Sequence, residues 1–177
     1  MGMDVYGRNP KLNKIREEFP IYNKYQKIEE DADEADEGFH KKWKELNADE
    51  TLREQYWKEQ NEYQKKNIGI YFRNNCWYWR PLWDYCAHIA PELINEKLWN
   101  SGHHNDGAGL NELDAAKLGV KLMTAIEDGS VEHHEKEIEL INEQKEADGD
   151  DMNYPFYTEN VKAFAEFCLE SGGFSIN

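Results

Sequence analysis

Cysteine is scarce in this chain. Cys76, Cys86 and Cys168 are the only three in 177 residues. An odd, scattered set of this kind builds no disulfide framework and suits reduced thiols in a cytosol. No apolar run approaches the ~20 residues of a membrane span, and the start lacks the apolar stretch of a signal peptide. Tyr6 stands where the myristoylation pattern that begins at Gly2 needs Ser or Thr. These absences set the expectation of a cytoplasmic protein with no membrane partner. Positive charge is also short: 21 Lys and Arg face 36 Asp and Glu, a net charge of −15. That balance excludes a generic electrostatic grip on nucleic acid, so no direct nucleic-acid binding is expected. The sequence holds no P-loop, no G-x-G-x-x-G, no G-x-S-x-G and no H-E-x-x-H.

What is present argues for a folded molecule. Hydrophobic residues make up 39% of the chain, with six Trp, ten Tyr and seven Phe, too many for wholesale disorder. The length suits a single domain, 1–177, with one real core. Charge divides it unevenly. Residues 17–62 hold 15 acids and 7 bases, and residues 127–151 hold 11 acids and 2 bases, whereas 69–111 is nearly neutral and carries four of the six Trp. Two polar, acidic insertions, at about 11–66 and 132–152, are therefore expected to flank an aromatic centre.

Local signals predict an α+β fold dominated by five or so helices. Short strands are expected near 3–6, 69–72 and 174–176, pairing into one small sheet that ties both chain ends together. Residues 29–38, with seven acids among 29–37, read as a solvated loop or helix start. From Phe39 to Lys66 there is no Pro or Gly, so one or two exposed helices are expected, broken near Asn47-Ala48-Asp49. Pro81 suits the first position of a helix whose Leu82, Tyr85, Cys86 and Ile89 form a buried stripe. Residues 101–109 read as a loop. Asn111 is placed to cap the next helix, Gly129 to stop it, Ser130 to start a very polar one, and Thr158 to cap the last.

Two clusters carry candidate chemistry. In the first, Arg73, Asn74, Asn75, Trp77, Trp79 and Arg80 interleave cations and amides with aromatic rings. Indole faces stack on planar ligands, and guanidinium forks clamp phosphate or carboxylate. Core packing is the competing role for the tryptophans. The second is the Gly-rich loop with His103, His104, Asn105 and Asp106, which suits hydrogen bonding to a polar ligand, with Asp106 also making an Asx turn. Adjacent histidines seldom converge on one ion, and no further ligand follows at zinc spacing. No metal and no cofactor are expected.

Several of these blocks resemble a family of small, uncharacterised proteins widespread in bacteriophage and metagenomic phage sequence. The matching pieces are Met1-Gly2-Met3-Asp4-Val5-Tyr6-Gly7, Tyr71-Phe72-Arg73-Asn74-Asn75 with Trp77, Trp79-Arg80-Pro81-Leu82, His104-Asn105-Asp106-Gly107, Tyr154-Pro155-Phe156, Glu159-Asn160-Val161 and Gly172-Gly173-Phe174-Ser175-Ile176. Together they cover about half the chain. The resemblance implies a phage genome as the setting and brings no activity with it.

The leading expectation is thus a phage-encoded cytosolic accessory protein that binds a small polar, nucleotide-derived ligand and so counters a host defence signal. Arg73 and Arg80 would hold phosphate, Trp77 or Trp79 would stack, and the 102–109 turn would share their cavity. The alternative is an acidic protein-interaction inhibitor, or nucleic-acid mimic, that covers a host factor with its acidic surfaces. A third possibility is a hydrolase using His103, His104 and Asp106. It ranks last because the chain offers no convincing nucleophile.

Overall fold

The computed structural model describes residues 2–32, 34–149 and 154–177, so Met1, Asp33 of the first acidic tract and residues 150–153 of the second lie outside it. It is helix-dominated α+β, as the local signals predict. Eight α-helices are present among the described residues rather than five or so. The chain divides into two compact units, residues 12–67 and residues 1–11 with 68–177.

The 12–67 unit contains a 3-10 turn, Arg16–Glu18, and three helices: α1 (Pro20–Glu30), α2 (Ala35–Ala48) and α3 (Glu50–Lys66). The break between the last two falls where expected. Asp49 leaves the helical conformation, and its carboxylate accepts from the Leu52 N–H at 3.1 Å. The start of α1 is capped from another helix, since Glu59 accepts from the N–H groups of Ile21 and Tyr22 at 2.7 and 3.0 Å. Packing is aromatic, with Tyr22, Tyr25, Tyr56 and Tyr63 buried. Lys42 is buried too, its ammonium held 2.7 Å from Glu29 and 5.5 Å from the Tyr56 ring centre. Pairing and a ring face together offset the cost of taking a cation out of water. The segment read as a polar insertion therefore has a small core of its own.

The other unit is built on a three-stranded antiparallel sheet of order β2-β1-β3. Its strands are β1 (Gly2–Gly7), β2 (Tyr71–Asn75) and β3 (Phe174–Ile176). β2 begins two residues later than the 69–72 expected. Before it, the Gly7 N–H donates to the Ile70 carbonyl at 3.0 Å, and Gly69 lies against the backbone of Glu170, where an added Cβ would sit 2.1 Å from a carbonyl oxygen. β3 is not left as a free edge. Its Phe174 and Ile176 N–H groups donate to Leu110 and Ala108 at 2.9 and 2.7 Å, which ties the 107–110 segment to the sheet.

Five helices complete this unit: α4 (Cys76–Ile89), α5 (Glu96–Ser101), α6 (Glu112–Glu127), α7 (Ser130–Ala147) and α8 (Thr158–Glu170). Met3, Val5, Phe174 and Ile176 meet Trp79, Trp83, Leu118, Leu122, Phe164 and Phe167 in one core. Period-two alternation puts Val5 inside and Asp4 outside on β1, as a half-buried strand requires. At the α6–α8 crossing Gly119 permits close approach, since a Cβ there would stand 2.8 Å from Leu169. No described helix is long and apolar enough to cross a membrane.

Two helix starts differ from expectation. α4 begins at Cys76, not Pro81, because Asn75 accepts from the N–H groups of Trp77 and Tyr78 at 3.0 and 3.1 Å. Pro81 therefore sits inside the helix, where its ring forgoes one hydrogen bond. α8 is capped not by its own Thr158 hydroxyl but by Glu135 of α7, which accepts from the Thr158 N–H at 3.1 Å and from its hydroxyl at 2.5 Å. Asn111 does cap α6, accepting from the Asp114 N–H at 3.0 Å.

Candidate functional site

One turn of an α-helix brings every fourth residue back to nearly the same face. On α4 that face carries Arg80, Asp84 and His88 in succession, with Tyr85 beside them. On α7 the corresponding stripe runs His134, Ile138, Ile141, Asn142 and Lys145. These two stripes, together with Trp99, His103 and His104 from α5 and the turn after it, enclose a cavity of about 750 Å³. That volume lies within the range of small-molecule sites.

The cavity has two ends. Tyr85 and His134 lie ring to ring at 4.9 Å, which puts the start of α7 beside the middle of α4. Two turns further on, Asn142 donates to the Tyr154 carbonyl at 3.3 Å, and Arg80 donates to the Tyr154 hydroxyl at 2.7 Å. The later part of α7, with Lys145, therefore runs toward Arg80. One end is cationic, and the other is lined by Tyr85, His88 and His134. Among the described residues Asp84 is the single acidic one lining the cavity, in a chain of net charge −15.

Asp84 is held from two sides. Trp99 donates its indole N–H to Oδ1 at 2.6 Å, and His103 Nε2 lies 3.2 Å from the same oxygen. Burial works against the charge of Asp84. The hydrogen bonds from His103 and Trp99, with the nearby charges of His103 and Arg80, outweigh it and hold the carboxyl below its usual value. His103 is thereby committed, because its other ring nitrogen, Nδ1, is buried and finds no partner among the described residues. His104 is different. Its Nδ1 donates to the Asn100 carbonyl at 2.9 Å, and its Nε2 has no partner among the described residues. At the far end, burial lowers the pKa of His134, and the Glu137 carboxylate opposes that shift.

The His134 shift has a measurable consequence. A histidine with a lowered folded value resists the proton that the unfolded chain accepts near its ordinary value of about 6.5. Its contribution to stability is thus full above that value and is lost as pH falls through the lowered one. The melting temperature is expected to drop as pH falls below about 6.5, and to drop less in His134→Gln. An identical decline in the variant would contradict this assignment.

Of the residues singled out in the sequence, the cavity gathers Arg80, His103 and His104. The others lie elsewhere. Arg73 is on the outer face of the sheet, in register with Asp4 and 3.4 Å from its carboxylate, so the expectation of a cavity shared by Arg73 and Arg80 is overturned. Asn74 donates to Asn160 at 2.9 Å, and Asn75 is spent on capping α4. Trp79 is fully buried, stacked on Trp83 at 5.5 Å, with its N–H donated to the Gly102 carbonyl at 2.7 Å. Trp77 is exposed and packs on Tyr154 at 5.3 Å rather than lining the cavity. Asn105 donates to the Gly2 carbonyl at 3.2 Å, and Asp106 makes the expected Asx turn, accepting from the Ala108 N–H at 3.0 Å. His103, His104 and Asp106 therefore do not form one catalytic trio.

Sequence reasoning missed Asp84, His88, His134, Lys145 and Tyr154. The available signal was the spacing of Ile138 and Ile141 beside His134 on an otherwise charged helix, which marks a face turned inward. Cys86 and Cys168 are fully buried, and burial raises both thiols. They are inert packing groups. A groove in the 12–67 unit is lined by three Lys and three Glu side chains, of which Lys14 and Glu18 pair at 2.7 Å. Among the described residues no three His, Cys, Asp or Glu side chains come together in a way that would hold a metal ion. Comparison with protein-family models, with curated proteins and with solved structures finds no match for this chain.

Proposed function

We propose that the protein binds a small, phosphate-bearing, nucleotide-derived ligand in the cavity between α4, α5 and α7. The observation that carries this reading is the polarity of the cavity: Arg80 and Lys145 at one end, ring-bearing side chains at the other, inside a strongly acidic chain. A guanidinium and an ammonium attract an anionic group into a partly desolvated recess, and Tyr85, His134 and Trp99 offer faces and edges for a planar group. In the phage setting that the sequence blocks suggest, sequestering such a molecule in the host cytosol would blunt a nucleotide defence signal. The experiment is to heat the purified protein, identify any released molecule by mass, and titrate the protein with mono-, di- and cyclic nucleotides by calorimetry. A phosphate-bearing copurifying molecule, or binding by one class of nucleotide, supports the reading. No released ligand and no heat across the panel would remove it.

One observation favours turnover as a second reading. His104 lines the cavity, and with its Nδ1 bonded to the Asn100 carbonyl its Nε2 has no partner among the described residues, the position a general base would take. Product formation lost in His104→Ala would establish hydrolysis in place of sequestration. Acidic-surface inhibition would depend instead on residues 29–62 and 132–151, and deletion of 12–67 that leaves activity intact would speak against it.

A further inference from the structure

A carboxylate in the middle of a cavity that attracts anions is a conflict unless the ligand brings hydrogen-bond donors to it. Asp84 occupies that place. Its Oδ1 already takes the Trp99 and His103 donors, while its Oδ2 accepts from no group among the described residues and the side chain stays about half exposed. An ionised carboxylate oxygen left without donors beside a bound phosphate would repel it, so the binding energy depends on what the ligand places there.

Position along α4 narrows the choice. Asp84 lies one helical turn beyond Arg80, about 6 Å of rise, and His88 one further turn, about 12 Å from Arg80. In a 5′-nucleotide the sugar hydroxyls stand at the nearer span from the phosphate and the far edge of the base at the longer one. We propose that Asp84 accepts hydrogen bonds from the 2′- and 3′-hydroxyls of a ribose, so that the cavity selects ribonucleotides over deoxyribonucleotides. This inference rests on the nucleotide reading of the cavity. Phosphate sits against Arg80 and Lys145, the ribose diol against Asp84, and the base toward Tyr85, His134 and His88. Trp99 and His103 act as positioning residues that fix the carboxylate and keep its free oxygen turned to the ligand. Two hydroxyls on one carboxylate give a discrimination of a kind that an apolar pocket does not, because a missing hydroxyl leaves a charged acceptor unpaired.

The test is calorimetry of the full chain with AMP, GMP, CMP and UMP and with the 2′-deoxy and 3′-deoxy forms of the one that binds best. The ribonucleotide is expected to bind about 10- to 100-fold more tightly than either deoxy form. Asp84→Asn turns an acceptor toward the sugar into a donor, and the ratio is expected to fall to about one while the preference for the nucleotide over its nucleoside persists. Equal affinity of ribo- and deoxyribonucleotides for the unaltered protein overturns the inference and leaves the phosphate site standing. A preference that survives Asp84→Asn overturns the role of Asp84. Absence of binding by every nucleotide removes the cavity reading and this inference with it. If Asp84→Asn does not fold, as judged by its melting curve, the comparison on the unaltered protein decides the matter alone.

Discussion

Arg80→Ala is expected to weaken nucleotide binding about 10-fold, the range of a lost charge-assisted hydrogen bond to an anion. Arg73→Ala is expected to change it by less than about twofold, as an exposed ion pair on a remote sheet face contributes little. The two arginines look equivalent in the sequence, each among aromatics and seven residues apart. The fold separates them. Arg73 follows the outward beat of β2 and meets Asp4 across the strands, while Arg80 lies a full turn inside α4 and reaches Tyr154 at the cavity end. Calorimetry on the two single variants reads the difference directly. Comparable losses in both would mean that the ligand sits on the sheet face and that the cavity is not the site.

The second large effect concerns stability. Trp79→Ala is expected to cost about 3–5 kcal/mol in denaturant unfolding, the usual penalty for emptying a core site of an indole. The side chain is fully buried between Trp83 and Phe164, and its N–H satisfies the Gly102 carbonyl, which would be left without that donor. Trp77→Ala, two residues away, is expected to cost less than about 1 kcal/mol, because that indole is exposed and packs only on one side. A stable Trp79→Ala protein with impaired ligand binding would return Trp79 to a stacking role and contradict the packing described above. The Trp79–Gly102 bond matters beyond stability, since it anchors the turn from which His103 reaches Asp84.

Much of the architecture could be foreseen from local chemistry. The Asn111 cap, the helix break at Asp49 and the two terminal strands all depend on neighbours a few residues apart, and each appears close to where pattern places it. The helices α1 and α5 carried weaker signals. α1 is capped by Glu59, a residue of α3, and α5 is a six-residue helix packed beside Asp84. The site was half foreseen for the same reason. Arg80, His103 and His104 stand out by type and clustering. His134 and Lys145 do not, because a charged helix looks solvated until the position of its partner is known, and only Tyr85 and Phe156 packed on His134 reveal which face turns in. Trp79 and Asn75 belong to the same dense aromatic stretch as Arg80, yet one serves the core and the other a helix end. Helical periodicity divides that stretch among three environments, which composition alone does not resolve.

If ligand binds where α4, α5 and α7 converge, the six tryptophans offer a direct readout. Each indole N–H gives its own proton–nitrogen NMR signal. Trp99 donates to Asp84 inside the cavity, Trp79 and Trp83 donate to backbone carbonyls in the core, and Trp43 and Trp57 lie in the 12–67 unit. With signals assigned by single Trp→Phe variants, adding a ribonucleoside monophosphate should move the Trp99 signal and leave those of Trp43, Trp57, Trp79 and Trp83 in place. A shift at Trp43 and Trp57 with Trp99 unmoved would put the ligand in the 12–67 unit and leave the cavity empty.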